Sequence, residues 1–279
     1  GMSLIIFAGI VVNLPAAVLN TFDQLRTGQI GLIRLLLLGV LMVVVIGAVV
    51  FIERGQRRVT VQYAKRVVGR RMYGGSSTHI PLKVNTGGVI PVIFASSIIA
   101  FPATIATALP TGGWAQGITD QLRNGMPLYY LLYMSAIVFF AYFYTAIIFN
   151  PDDVAENMRK YGGFVPGIRP GKRTAEYIDT ILTRITLVGS IYLALVAVLP
   201  DVMIVGFRAD AVPLVGDQLD MLLPRFITDG LGVTFYFGGT SLLIIVGVSM
   251  DTVQQVESQL IMRHYDGFMK KTRIKGRRG

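Results

Sequence analysis

Six stretches of the chain are dominated by apolar residues, covering 2–19, 35–52, 88–109, 128–149, 181–200 and 231–250. A helix needs about 20 largely uncharged residues to cross the hydrocarbon core of a bilayer, where every backbone polar group must be satisfied within the segment. Each stretch meets that length, the fifth by extending 185–200 backward by about one turn. A further partly apolar run, 205–230, is interrupted by Arg208, Asp210, Asp217, Asp220 and Arg225, and it reads as a loop on or near the surface. The pattern therefore predicts an all-α, polytopic membrane helix bundle: six transmembrane helices forming a single membrane domain over 1–279.

The basic residues orient these spans. All of the 26 Lys and Arg except Arg26, Arg34, Arg123, Arg208 and Arg225 lie in the segment 53–83, the segment 150–184 or the tail from 254 onward. Short basic loops resist translocation. An asymmetry that switches at every crossing predicts cytosolic loops at 53–83 and 150–180, a cytosolic tail at 254–279, and both termini in the cytosol. The tail reads as a helix with a frayed basic end.

Composition agrees with the pattern. Of 279 residues, 53% are hydrophobic and only 15% charged, with a net charge of +10, a combination outside the range of average soluble domains. The absence of cysteine excludes disulfides and thiolate metal sites and leaves the redox compartment open. The opening segment has no basic n-region and no small-residue cleavage site, so it does not read as a signal peptide. It enters an apolar span almost at once, as expected of a piece of a longer chain.

The two long basic loops pose the functional question. Topogenic charge resting on anionic lipids accounts for part of it. In "YGGFVPGIRPGKRTAEYID", however, Pro166, Gly167, Pro170 and Gly171 bracket Ile168 and Arg169 in a stiff turn that should push Arg169 outward. An arginine on a rigid tip suits bidentate contact with phosphate or carboxylate, so the expected partner is a polyanion or an acidic protein surface. The same stretch is not a phosphate loop, since Pro166 and Arg173 occupy positions that motif reserves for glycine and Ser/Thr.

Enzyme chemistry finds little support. His79 and His264 are the only histidines, and no metalloprotease or nucleophile-elbow motif is present. The span centres carry mild polar residues, among them Asn13, Ser96, Ser97, Thr104, Ser135, Thr145, Ser190, Thr240 and Ser241, but no ionisable ones. Ion-coupled transport normally requires such groups at mid-membrane. The chain is expected to be no enzyme, to hold no metal or cofactor, and to suit a passive conduit. In the third span, Pro91 and Pro102 are each expected to remove a helical hydrogen bond and, with Gly87 and Gly88, to make that helix deformable. Gly238 and Gly239 permit close helix approach.

"FIERGQRR", "STHIPLKVN", "GVIPVIFASSII", "AYFYTAIIFNP", "GFVPGIRPGKRT" and "FYFGGTSLLI" follow one another in an order that resembles the SecY family, the channel subunits of the bacterial protein translocase. The resemblance covers nearly the whole chain and is weakest over 21–31, 110–127 and 205–230. Members of that family have ten spans, and this chain resembles the fifth to the tenth. The plug and the gate helices of the first half have no counterpart here, so the chain is not expected to close a pore alone.

The resemblance implies a set of roles. Ile6, Ile93 and Ile244 correspond to part of a pore-constricting isoleucine ring; without the resemblance they would be ordinary packing or lipid-facing residues. Asn85, otherwise readable as a helix cap, corresponds to a polar cluster of the lateral gate. Ser97, Phe101 and Ile105 correspond to gate positions that govern signal-sequence discrimination. Arg58, Arg70, Arg71 and Arg169, supported by Lys172 and Arg173, correspond to the docking surface for the ribosome, through its RNA and tunnel-exit proteins, or for the motor SecA. SecE, SecG, signal sequences, nascent polypeptides and anionic lipids complete the expected partners, and the bacterial plasma membrane is the expected location. A docking platform that conducts nothing and a small-molecule transporter are the alternatives.

Overall fold

The structure is a computed structural model that describes residues 2–63, 66–68, 71–73, 77–108, 117, 120–208, 228, 230 and 238–269. Helix α1, Met2–Val12, gives way at Asn13 to α2, Leu14–Arg26. The Asn13 side chain donates to the Gly9 carbonyl at 3.1 Å, and Pro15 sits in the first turn of α2, where a missing N–H costs no helical bond. A four-residue turn after Thr27 leads into α3, Leu32–Glu53.

Strands rather than an open loop follow. β1, Gln56–Tyr63, pairs antiparallel with β4, Ser77–Lys83, in a register that sets Arg58 opposite Pro81 and Thr60 opposite His79. Between them β2, Arg66–Val68, pairs with β3, Arg71–Tyr73. The expected all-α class is corrected on this point: the fold is mostly helical, with a small sheet in the basic region. Val59 and Val61 of β1 and Leu82 of β4 are buried while Arg58 and Gln62 stay exposed, the alternation of a sheet covered on one face.

Helix α4 spans Ile90–Ala108 and α5 spans Pro127–Ile148. The Asn150 side chain then accepts from the Asp152 N–H at 3.1 Å and caps α6, Pro151–Lys160. The two residues of β5, Gly163–Phe164, add a third strand against β1. α7, Lys172–Val205, has 34 residues and so runs about 50 Å at the α-helical rise. It outreaches a hydrocarbon core of about 30 Å. α8, Gly239–Met269, closes the described chain.

Four helical segments among the described residues are long and apolar enough to cross a membrane: Leu4–Arg26, Leu32–Glu53, Pro127–Lys160 and Lys172–Val205. The apolar part of α4, Ile90–Pro102, is shorter. The first part of the sixth stretch, 231–237, lies outside the described residues. Side chains turned away from the chain's own core are apolar as well, including Leu36, Val43, Phe51, Phe139 and Ile147. A soluble domain does not present so continuous an apolar exterior; a multi-pass membrane protein does.

Of four apolar clusters among the described residues, two are large, and the two smaller ones tie α3 to α7 through Leu38 and Ile204 and to α8 through Val45, Val49, Leu242 and Val246. One of the large clusters joins α4, α5, α7 and α8 through Val92, Ala95, Tyr133, Ile137, Leu193, Ala197 and Leu243. The other lies beneath the sheet, where Val59, Val61 and Leu82 meet Met158 of α6 and Ile178, Ile181 and Leu182 of α7. The predicted cytosolic segment 150–180 is thus a built subdomain seated on the long extension of α7.

The proline expectation needs correction. Pro91 is the second residue of α4, where helical N–H groups have no partner in any case, so only Pro102 interrupts the helix from within. Pro200 likewise lies inside α7, which continues to Val205 and brings Asp201 into the helix.

Candidate functional site

The three isoleucines come from three helices. Ile244 of α8 belongs to the buried core, and Ile6 of α1 and Ile93 of α4 pack against it while staying half-buried. The arrangement follows from helix pairing: α1 lies along α8, and α4 is held by α5 and touches α7. A half-buried isoleucine pair rooted in a fixed core can present apolar surface to a passing chain without offering it hydrogen bonds.

α4 has two faces. Val92, Ala95 and Ile99, at helical spacing, are buried against the core. Phe94, Ile98, Phe101 and Ile105, also at helical spacing, are exposed. Ser97 is exposed too, but its hydroxyl donates to the Ile93 carbonyl at 2.8 Å, so its polarity is spent within the helix. Phe101 and Ile105 therefore line an apolar, uncovered face that begins at Phe94, next to Ile93.

Asn85 sits just before α4 and is buried. Its Nδ2 donates to Glu53 Oε2 at 3.0 Å and to the Gly88 carbonyl at 3.0 Å. It caps no helix; it ties the start of α4 to the end of α3. Lys83 Nζ, two residues earlier, donates to Gln254 Oε1 of α8 at 2.8 Å.

The basic candidates divide by position. Arg58 is exposed on the outer face of the sheet, on the same side as His79 and Lys83 by the strand alternation. Arg169 is exposed on the turn after β5, where Gly167 and Gly171 take positive φ angles of 83° and 113°. That turn is seated from within. Ile168 packs into the core beneath the sheet, its N–H donates to the Val165 carbonyl at 3.1 Å, and the Thr174 hydroxyl donates to the Arg169 carbonyl at 3.0 Å. Lys172 and Arg173 are exposed in the first turn of α7, the end of a helix that disfavours cations, so helix stability does not account for them. Arg71 lies in β3 opposite Val68; its side chain, and Arg70 altogether, lie outside the described residues.

Two acidic residues escaped the sequence reading. Glu53, the last residue of α3, is 8% exposed. Asp201 accepts a hydrogen bond from the backbone N–H of Gly239, at the positive end of α8. Among the described residues no cluster of His, Asp or Glu could hold a metal ion.

Residues 1–253 match the SecY family. The chain is 50% identical over 279 residues to the protein translocase subunit SecY of Escherichia coli strain K12, covering 99% of this chain and 58% of the relative. It is 46% identical to the subunit of that name in Vibrio cholerae, again over 99% and 58%, and 48% identical to that of Streptomyces coelicolor, over 97% and 57%. The chain thus spans less than two thirds of the length of these relatives. A solved structure concerning the plug domain of the SecY protein and the closed state of the translocation channel superimposes with a TM-score of 0.60 at 18% identity, over 94% of this chain and 60% of that one. Another, described as the structure of a protein conducting channel, gives 0.55 at 18% identity over 88% and 54%. These two speak for the fold, and the sequence relatives speak for the lineage: the chain belongs to the SecY family.

Proposed function

We propose that this chain forms the larger part of the wall of a protein-conducting channel, which moves unfolded secretory polypeptides across the bacterial plasma membrane and membrane proteins into it. It does so with six spans and both of its termini in the cytosol, and it carries out no covalent chemistry. The carrying observation is that half-buried Ile6 of α1 and Ile93 of α4 pack against one apolar core that includes Ile244 of α8, beside the open apolar face of α4. A ring of such side chains repels water and ions by dewetting and yields to a peptide, because it offers no fixed charge or hydrogen bond. The remaining members of the ring belong to the part of the relatives' length that this chain does not match.

The seated turn of Arg169, with Arg58, Lys172 and Arg173 and, by the sequence resemblance alone, Arg70 and Arg71, docks the ribosome or SecA, which supplies the energy. Phosphate contacts of this kind position a partner without reading sequence. SecE and SecG complete the channel, and anionic lipids contact the basic rim. The test is reconstitution of the assembled channel containing this chain in vesicles. Accumulation of a protease-protected precursor supports the reading, whereas ribosome or SecA binding with no protected precursor reduces the chain to a docking platform.

A further inference from the structure

The join between β4 and α4 is held residue by residue. Lys83 Nζ donates to Gln254 of α8 at 2.8 Å, the Val84 N–H donates to the Gly55 carbonyl at 3.0 Å, and Asn85 Nδ2 donates to Glu53 of α3 at 3.0 Å. α7 presses on the same place, because a Cβ on Gly189 would collide with the Val84 carbonyl. α8 closes on the next residues, where a Cβ on Gly247 would collide with the Val89 side chain. Three helices, α3, α7 and α8, together with the turn at Gly55, therefore fix residues 83–89, and α4 starts directly after them at Ile90.

Within this knot Glu53 is the unusual group. It is a carboxylate only 8% exposed, its hydrogen-bond partner is a neutral amide, and no cation lies within ion-pair distance of it among the described residues. A buried carboxylate is tolerated only where donors hold it. Here the donor is Asn85, whose second bond to the Gly88 carbonyl passes the constraint to the first turn of α4.

We infer that Glu53 is the positioning residue of the gate: it fixes the seat of α4, so that α4 pivots about residues 83–89 instead of sliding, and it thereby sets how strictly signal sequences are discriminated. This deepens the channel reading and rests on it.

The test uses the assembled channel containing this chain, with E53A, E53Q, N85A and the E53A/N85A pair, and with I93N as the reference for a loosened constriction. The readout is export of a reporter with a defective signal sequence, divided by export of the same reporter with an intact one, alongside the amount of channel in the membrane. E53A is expected to raise the ratio at least about tenfold, the factor that corresponds to losing one charge-assisted hydrogen bond. E53Q, whose amide oxygen still accepts from Asn85, should keep most of the discrimination. N85A should match E53A, and the pair should add nothing to either. Should E53A fail to reach the membrane, N85D takes its place, since it keeps the volume but sets two carboxylates face to face. A ratio unchanged in E53A, or in N85D where that is used, while I93N raises it, overturns the role of Glu53 and leaves the channel reading standing. No effect of I93N would instead overturn the channel reading, and the role of Glu53 with it.

Discussion

Tyr133 Oη on α5 lies 2.6 Å from Thr240 Oγ1 in the first turn of α8. Beside this bond, Gly239 approaches α7 so closely that a Cβ would collide with the Ala197 carbonyl. The start of α8 is thus pinned between two helices, and Ile244 stands little more than a turn further on. Gly239→Ala would force backbone apart and should cost at least about 3 kcal/mol, the upper range for overpacking, seen as a lower Tm of the detergent-solubilised channel. Tyr133→Phe removes one hydrogen bond and should cost about 1 kcal/mol.

Asp201 holds the same helix end through the Gly239 N–H. Asp201→Ala should destabilise the channel by about 1 kcal/mol, the usual cost of a lost N-terminal cap. Asp201→Asn keeps an acceptor and should cost less. Thermal unfolding of the two variants side by side checks the order; equal losses would assign the effect to charge rather than to the hydrogen bond.

Arg169 should contribute one phosphate contact when the partner is the ribosome. Arg169→Ala is then expected to weaken ribosome binding by about tenfold and to lower the slope of log K against log salt by about 1. Titration of labelled ribosomes onto channel vesicles at three salt concentrations measures both. A weakened affinity with an unchanged slope would mean that Arg169 acts by seating the turn.

Ile93→Asn places an amide among the isoleucines proposed to constrict the channel. It should hydrate the constriction and raise ion leak through resting channels, whereas Ile93→Leu should leave the leak near its original level. Conductance of planar bilayers containing the channel distinguishes them.

Four of the six expected spans were legible because a membrane imposes length and polarity on a local window, and a window such as 35–52 needs no partner to be recognised. The sheet was harder. Val59, Val61 and Tyr63 alternate with Thr60 and Gln62, but the surrounding arginines drew the reading toward an open docking loop, and a two-residue strand such as β5 has no periodicity to detect. Asp201 was missed because a proline normally ends a helix, whereas α7 continues past Pro200. Glu53 and Asn85 are 32 positions apart, and nothing local to either predicts their contact. The isoleucines came from resemblance alone, for many isoleucines in this chain share their spacing.

The most direct measurement places a photo-crosslinker at Ile93 and, separately, at Leu36, which is exposed on the outer face of α3, in the assembled channel engaged with a stalled secretory chain. Capture of the stalled chain at Ile93 and not at Leu36 is the expected result. Capture at neither, with ribosomes still bound through the basic surface, would contradict conduction along this path.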